Sequence, residues 1–415
     1  MGARRLNASA AQGREAVLAA PGVVSLRVMI VRRRNPDATH EVAGPATVAD
    51  VLAQLGINPE TVLVIRDGEL MTRDRELPDD AEIEVRSVIS GGAGPRAPQC
   101  QVCGRAVVIE IPRHRAAFCA EHLVDHIRGQ VRHAIDRHGM LSYDDRVLVA
   151  VSGGKDSLAL WDVLLDMGYH DGLYLGLGIG DYSQRSEQVV SDFAERRGVT
   201  LHAIDLATEF GYSIPDATGV KDRSACGVCG LSKRYVFNKV ALDHGYDVMA
   251  TGHNLDDEAA QLLGNVLRWQ TPFMARQSPA LAASGGLAKK VKPLYRVGER
   301  EMAAYCIVRG LDYIVEECPL VGGNTVHHYK DALNELERHF PGTKAQFLYG
   351  FLDKVRDQHF ASEADEGNDD GVVACGECGM PTAPPKGKAA HNGDSVRCAF
   401  CRTQQRVLSV VSTVR

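Results

Sequence analysis

The segment 146–157, RVLVAVSGGKDS, combines residue types that together can bind phosphate groups. Apolar residues at 147–151 predict a buried strand of a parallel sheet, followed by a glycine turn and a helix. Glycines let backbone N–H groups approach a polyanion, a helix N-terminus adds partial positive charge, and Lys155 adds a full charge. The spacing differs from the GxxxxGK[ST] loop of kinases and GTPases. We therefore predict another type of phosphate-binding loop, formed by Ser152, Gly153, Gly154, Lys155, Asp156 and Ser157.

Eleven cysteines in a chain of this size, without a signal-peptide pattern, indicate metal sites in a reducing compartment. Eight residues fall into two sets, each with two CxxC-like knuckles, and these sets are Cys100, Cys103, Cys119 and His122, and Cys375, Cys378, Cys398 and Cys401. Each set offers the four soft ligands that tetrahedral zinc requires. We predict two closed, structural zinc sites, with iron as the alternative metal.

Three further cysteines lie in two separate segments, Cys226 and Cys229 in SACGVCGLSKR and Cys318 in VEECPL. Three thiolates can hold three irons of a [4Fe–4S] cluster and leave the fourth iron open to an exogenous sulfide. The alternative is a redox pair in which Cys226 carries a persulfide and Cys318 resolves it. The spacing favours neither. Cys306 follows a helical pattern and is predicted to be a small core residue.

Strands alternate with helical patterns over the central part of the chain, which predicts a doubly wound parallel sheet. SGGKDS, GLGIGDYS and TGHNLDDE each follow a predicted strand, so all three should meet at one nucleotide beyond the sheet's carboxyl edge. Asp256, Asp257 and Glu258 are candidate magnesium ligands, or acids that merely suit a helix N-terminus. Lys233 lies one helical turn after Cys229 and is predicted to point toward the CxxC.

The predicted order of elements in the first part of the chain is β-β-α-β-β, with Thr47 as helix N-cap, an Asp-Gly turn between two strands, and a terminal Gly91-Gly92. This pattern resembles the β-grasp fold of ubiquitin-like sulfur carriers of the ThiS and MoaD type. Such carriers end in Gly-Gly because a thin tail can enter an adenylating enzyme and carry a thiocarboxylate. Here the chain continues, so carrier activity requires cleavage after Gly92. The alternative is a docking module whose Gly-Gly begins a linker.

The predicted domain organisation is a disordered tail at 1–22, a β-grasp domain at 23–92, a linker at 93–99, a zinc module at 100–123, the catalytic domain at 124–360, an acidic linker at 361–374 and a zinc ribbon at 375–407. The net charge of −6 means that RNA binding must depend on local basic patches. A predicted helix from 123 to 138 offers Arg128, Arg132 and His133, either for phosphate contacts or as a solvated face. No apolar run reaches the ~20 residues of a membrane span, and we expect a cytoplasmic protein.

Taken together, SGGKDSLALW, GLGIGDYS, CGVCGLSKRYVFN, ATGHNLDDEAAQLLGNVLRW, KPLYRVGERE and VEECPL resemble the TtuA group of tRNA 2-thiouridine synthetases, which are PP-loop ATP pyrophosphatases. The resemblance runs over roughly residues 100 to 401 and implies an adenine nucleotide alpha hydrolase-like fold. It further implies a [4Fe–4S] cluster on Cys226, Cys229 and Cys318. Catalytic positions of the family match Asp156, Lys233 and Asp257, and ATP would contact the PP-loop together with Gly178, Lys233, Gly252 and Asp257.

The resemblance also implies the reaction, in which ATP adenylates a tRNA uridine and sulfur then replaces its 2-oxygen, most simply at T-loop position 54. Its cofactors would be ATP, Mg²⁺, the cluster and two Zn²⁺. Sulfur would come from a ubiquitin-like thiocarboxylate carrier, either the chain's own N-terminal domain or a separate protein, charged by an adenylating enzyme. Alternatives are thiolation of wobble uridine 34 or cytidine 32, an amidating PP-loop synthetase, and a non-catalytic iron–sulfur or zinc scaffold that binds RNA. The sequence leaves open whether the protein forms a homodimer.

Overall fold

The computed structural model describes residues 28–34, 38–87, 99–220, 223–321, 325–360, 372–382 and 396–414. The predicted tail at 1–22, Gly91-Gly92, and most of the two predicted linkers lie outside these residues. Within the described ranges, no helix combines the length and apolar character needed to cross a membrane.

The N-terminal domain contains β1 (Val28–Arg34), β2 (Ala38–Ala43), β3 (Ala46–Thr47), α1 (Val48–Gln54), β4 (Val62–Arg66), β5 (Glu69–Met71), β6 (Glu76–Leu77) and β7 (Glu82–Ser87). Its main sheet has the order β2-β1-β7-β4-β5, with β1 parallel to β7, while β3 pairs with β6. Thr47 caps α1 by accepting the Asp50 N–H, and Asp67 and Gly68 turn the chain at positive φ. The β-grasp prediction is confirmed.

A short hairpin and a long helix follow, with bounds β8 (Ile109–Ile111), β9 (Ala116–Phe118) and α2 (Ala120–His138). The helix begins three residues before the predicted start at 123, because Cys119 is its N-cap and His122 lies in its first turn. The second knuckle of the first zinc set is therefore part of the helix start.

The central sheet is built from β10 (Val147–Val151), β11 (Asp171–Gly176), β12 (Leu201–Asp205), β13 (Val248–Thr251), β14 (Ala280–Leu281) and β15 (Lys289–Val291). The order is β12-β11-β10-β13-β15-β14, and all neighbours are parallel except the edge strand β14. The order reverses between β10 and β13, which confirms the predicted doubly wound sheet and places its ligand-binding edge at the carboxyl ends of these two strands.

Helices cover both faces of this sheet, and they are α3 (Lys155–Leu165), α4 (Gly180–Arg197), α5 (Leu206–Phe210), α6 (Ala225–Asp243), α7 (Leu255–Leu267), α8 (Thr271–Ala275), α9 (Glu299–Arg309), α10 (Thr325–His339), α11 (Thr343–Phe351) and α12 (Asp357–His359). Short 3-10 turns occur at Pro59–Thr61, Pro112–His114 and Pro215–Gly219, and a π-helical turn at Leu352–Arg356. Every residue of β10 is buried, as expected for a central strand covered on both faces.

The C-terminal ribbon consists of β16 (Val373–Ala374), β17 (Pro381–Thr382) and α13 (Ala399–Val414), which extends beyond the predicted end at 407. Phe400 of α13 stacks on Tyr235 of α6, with ring centroids 3.7 Å apart and an interplanar angle of 2°. The ribbon thus packs against the helix that begins with Cys226 and Cys229.

Candidate active site

Ser157, in the first turn of α3, fixes the shape of the glycine turn that follows β10. The Ser157 hydroxyl accepts the Ser152 N–H at 3.1 Å and donates to the Gly154 carbonyl at 2.9 Å. Gly153 has φ +79°, and a Cβ there would lie 3.0 Å from the Ser186 carbonyl oxygen, so glycine is required. Among the described residues, no side chain caps the start of α3, which leaves its first N–H groups available to an anion.

The end of β13 passes directly over the start of α3. A Cβ on Gly252 would lie 2.9 Å from the Ser157 nitrogen and 3.0 Å from the Asp156 carbonyl carbon, both backbone atoms. A side chain at this position would therefore push the two segments apart. Gly252 brings the TGHN segment against the phosphate-binding loop.

A cleft of about 310 Å³ opens where these segments meet. Its lining includes residues from the ends of β10, β11 and β13 and from α4 and α6, among them Ser152, Gly154, Asp156, Ser157, Leu177, Tyr182, Lys233, Gly252 and His253. The three predicted strand-end segments thus converge on one cleft at the point where strand order reverses. Lys233 enters this cleft from the same helix that carries the CxxC.

Lys155 does not line the cleft and is paired with carboxylates. Its Nζ lies 3.1 Å from Asp156 Oδ2 and 2.6 Å from Glu299 Oε1. Glu299 is the first residue of α9. The Lys155 ammonium is thus held by Asp156 and Glu299, and its predicted contact with phosphates stays a prediction. The sequence could not show this pairing.

A second lysine, Lys330 of α10, continues this arrangement. Its Nζ lies 2.6 Å from Asp257 Oδ1 and 3.1 Å from Glu299 Oε2. Asp156, Lys155, Glu299, Lys330 and Asp257 thus form a chain of alternating charges, which we call the lysine–carboxylate network. Sequence reasoning missed Glu299, although the motif KPLYRVGERE contains it, and Lys330 carries no local signal.

The network shifts the acidity of its members. Burial raises the pKa of Asp156 to about 6; Lys155 opposes this shift, whereas Glu299 and Asp257 reinforce it. Burial would also raise the pKa of Glu299, but Lys155 and Lys330 outweigh it and hold that pKa well below its usual range. Among the described residues, Asp156 Oδ1 is buried without a hydrogen-bond partner. An unpaired carboxylate oxygen beside the phosphate-binding loop suits a bound cation.

The three acids after TGHNL do not share one site. Asp256 accepts from Lys344 Nζ at 2.5 Å and Glu258 accepts from Lys292 Nζ at 2.8 Å, and both acids are almost completely buried. The expectation that Asp256 and Glu258 bind magnesium is wrong, because each is already committed to a buried ion pair. Asp257 alone belongs to the network.

Cys226 and Cys229 occupy the first turns of α6, and Cys318 lies on the loop that follows α9. Burial raises the pKa of the Cys229 thiol; Lys233 counteracts it, and Cys318 and Cys226 raise it further. The three thiols are near enough to affect one another's acidity. Three cysteines from two segments are what the predicted cluster would need as ligands, and the cluster stays a prediction here.

Both predicted zinc sets are assembled. In the first, sulfurs of Cys103 and Cys119 are 3.8 Å apart, and the His122 Nδ1 lies 3.2 Å from Cys119 Sγ. In the second, two Sγ–Sγ separations are 3.8 and 3.9 Å. Tetrahedral zinc with Zn–S bonds of about 2.3 Å needs sulfurs roughly 3.8 Å apart. The four ligands of each set therefore fit zinc.

Three other predicted features have clear surroundings. Cys306 is completely buried, with its sulfur 3.4 Å from the Lys155 carbonyl oxygen, so its core role is confirmed. Gly178 lies outside the cleft lining; its φ is +69°, and a Cβ there would lie 2.6 Å from Ser213 Cβ, so this turn also requires glycine. On α2, Arg128 pairs with Asp166, whereas Arg132 and His133 are exposed.

Three known families match successive parts of the chain. Residues 124–319 match a PP-loop domain, residues 99–124 match the N-terminal LIM domain of 2-thiouridine synthetase TtuA, and residues 30–92 match the ThiS family. The solved U34-tRNA thiolase NcsA from Methanococcus maripaludis, described with its [4Fe-4S] cluster, shares the fold with a TM-score of 0.56 at 22% identity, covering 62% of this chain and 88% of that one.

Two other proteins are more similar to this chain in sequence. A tRNA-5-methyluridine(54) 2-sulfurtransferase of Thermus thermophilus is 46% identical over 73% of this chain and 90% of its own length. The protein of the same description from Pyrococcus horikoshii is 42% identical over 73% of this chain and 93% of its own length. On the strength of these two matches, this chain belongs to the tRNA-5-methyluridine(54) 2-sulfurtransferase family.

Proposed function

We propose that the protein uses ATP to adenylate a tRNA uridine at T-loop position 54 and replaces the 2-oxygen of that base by sulfur. The observation that carries this proposal is the convergence of Asp156, Lys233 and Gly252 on one cleft, with Lys233 one helical turn from Cys229. The proposed site for nucleotide phosphates would therefore adjoin the helix that carries Cys226 and Cys229.

ATP is proposed to place its β and γ phosphates on the N–H groups of the loop 152–157. Magnesium would lie between the phosphates and the carboxylates of Asp156 and Asp257, where the unpaired Asp156 Oδ1 supports a cation site. Glu299 keeps Lys155 and Lys330 beside these carboxylates, and their positive charge prevents two neighbouring acids from repelling each other before the metal binds.

The first chemical step is attack of the uridine O2 on the α phosphorus, with pyrophosphate as the leaving group. Adenylation is needed because a carbonyl oxygen leaves poorly, whereas AMP leaves well. A sulfur nucleophile then attacks C2 and AMP departs. The Lys233 ammonium is placed to stabilise the negative charge that develops on phosphate or on the uracil oxygen. The uridine must be turned out of its RNA context to enter the cleft.

Cys226, Cys229 and Cys318 would hold a [4Fe–4S] cluster, which when bound would supply an open iron site able to bind sulfide. The two four-ligand sets would each hold one structural Zn²⁺. The persulfide pair of Cys226 and Cys318 is the alternative, which the experiment on Cys318 below distinguishes.

The partners of the reaction follow from the same assignment. The proposed sulfur donor is a thiocarboxylate carrier charged by an adenylating enzyme, and the chain's own ThiS-like domain is the nearest candidate. Arg132 and His133 on α2 are exposed and are proposed to contact tRNA phosphates.

The test is anaerobic incubation of the protein with undermodified tRNA, ATP, Mg²⁺ and sulfide. We expect tRNA-dependent release of AMP and pyrophosphate and a 2-thiouridine at position 54 in nuclease fragments analysed by mass spectrometry. Asp156→Ala should reduce AMP formation by about 10²-fold, the scale of losing one electrostatic group. The exposed Asp144→Ala, just before β10, should have no effect. Sulfur found only at position 34 or 32, or AMP formation unaffected by Asp156→Ala, would refute the proposal.

A further inference from the structure

The main sheet of the β-grasp domain is covered on both faces. Along β4, Val62 and Val64 point into the domain's own core, beneath α1. Leu63 and Ile65 point the other way and are only 4% and 7% exposed. Period-two alternation sends these neighbours to opposite faces. A free domain would therefore expose Leu63 and Ile65 to water.

What covers this second face is the catalytic domain. Leu63, Ile65 and Leu70 belong to the same hydrophobic cluster as α9, and Ile307 and Val308 of that helix pack on it. We call Ile307 and Val308, on the α9 side of this contact, the carrier seat. A cleft of about 900 Å³ beside the seat separates the β5–β6 segment from the first zinc module. The domain thus has an apolar contact with α9.

A polar contact lies near the end of β7, the last strand of the β-grasp domain. Arg86, one residue before the end of β7, donates to the Tyr313 hydroxyl at 3.4 Å, and its guanidinium lies 5.9 Å from the centre of that ring. The next residue, Ile314, donates its N–H to the Gly153 carbonyl of the phosphate-binding loop at 2.9 Å. The last strand of the carrier domain therefore ends beside the loop that joins the seat to the active site.

We propose that the carrier seat is a receptor for the ThiS-like domain of this same chain, and that the domain stays bound to it after the Gly92–Ala93 peptide bond is hydrolysed. Gly92 is the fifth residue after Ser87, so its carboxylate can reach about 17 Å from the end of β7 at ~3.4 Å per residue. The cut chain is then a two-piece complex, and sulfur arrives from a partner that is already docked. This inference rests on the proposed function, because a docked carrier matters only if the protein uses its sulfur. The test of docking does not depend on that function.

The experiment inserts a recognition sequence for a specific protease directly after Gly92 in the full-length protein. After complete cleavage, we expect the two pieces to coelute in size-exclusion chromatography at about 10 µM. Ile307→Asp, which places a charge in the seat, should weaken the association at least 10-fold in a dilution series. Leu267→Asp is the matched control, because Leu267 is 61% exposed and lies outside the seat.

Separate elution of the two pieces from the unsubstituted protein would overturn the proposal. So would equal association of the Ile307→Asp and Leu267→Asp proteins. Circular dichroism of both variants before cleavage shows whether they are folded, and Leu63→Ser serves as a milder change on the β-grasp side of this contact. The docking test uses no ATP or tRNA, so a failure to coelute would not contradict the proposed thiolation. Conversely, an intact complex that does not thiolate tRNA would contradict the proposed function alone.

Discussion

At the scale of single residues, the site is defined by buried charges that neutralise one another. Glu299 contacts both lysines of the lysine–carboxylate network, and each lysine also contacts one aspartate, Asp156 or Asp257. Removing one partner from such a group leaves a buried charge without compensation, which costs about 3–5 kcal/mol. Glu299 is therefore a positioning residue, because it acts on the cleft through Lys155 and Lys330.

The network sets the pH dependence of adenylation. Asp156 must be ionised to bind magnesium, and its pKa of about 6 means that kcat/KM for AMP formation should fall as the pH drops through 6. In Glu299→Gln the acid limb should move to lower pH, because a negative neighbour that raises the Asp156 pKa is lost and Lys155 is left to pair with Asp156 alone. A pH profile of both proteins checks this. An acid limb that stays in place or moves to higher pH would contradict it.

Cys318 provides the residue-level test of the metal cluster. Protein prepared without oxygen should be brown with a [4Fe–4S] spectrum, and Cys318→Ala should lose that spectrum because one of three iron ligands is missing. Iron analysis and electron paramagnetic resonance of the reduced protein measure it, with Cys306→Ala as the control, since the Cys306 thiol is buried beside the Lys155 carbonyl. Full activity of an iron-free preparation, with a persulfide trapped on Cys226, would instead support the redox pair.

At the scale of elements, α6 joins the cleft to the C-terminal ribbon. Its first turns carry Cys226 and Cys229, Lys233 enters the cleft, and Tyr235 stacks on Phe400 of α13. Phe210 and Tyr212 also pack on the Phe400 ring. The ribbon therefore acts as a structural support for the helix that presents the cysteines.

Phe400→Ala should lower the free energy of unfolding by about 3 kcal/mol, as expected for a large aromatic removed from a core. It should also lower the cluster content, because α6 loses its stacking partner, while the binding of ATP to the opposite wall of the cleft is kept. Denaturant unfolding and iron analysis measure the two effects. Val373→Ala, a change at a 38% exposed position of the same ribbon, should cost less than about 0.5 kcal/mol. Equal losses for both variants would argue against the supporting role.

Local patterns explain which elements can be predicted. The strand at 147–151, the Thr47 cap, the Asp67-Gly68 turn and both zinc sets each depend on residues close in sequence, and the structure contains all of them. The direction of the Lys155 side chain is not predictable in this way, because its partner Glu299 is 144 positions away and pairs with it only in the folded chain. The predictions for Asp256 and Glu258 fail for the same reason, since Lys344 and Lys292 come from later elements.

At the scale of the whole molecule, a carrier-like domain precedes the enzyme that would use its sulfur. A thiocarboxylate needs a free carboxyl terminus, so we expect part of the protein in its own cells to be cut between Gly92 and Ala93. Intact mass measurement of natively purified protein should detect a carrier of about ninety residues. Gly92→Ala should block thiolation that depends on this domain and spare thiolation driven by free sulfide. If only full-length chain is present and Gly92→Ala thiolates tRNA normally, the domain is a docking module.

The helix α9 faces three partners along its eleven residues: Glu299 joins the network, Cys306 lies under the phosphate-binding loop, and Ile307 and Val308 hold the β-grasp domain. Because α9 packs against three different neighbours, a substitution that preserves packing with one of them can still disturb packing with the other two. Substitutions of Ile307 or Val308 that alter docking of the β-grasp domain must therefore also be compatible with the phosphate-binding loop and the network, which contact the same helix.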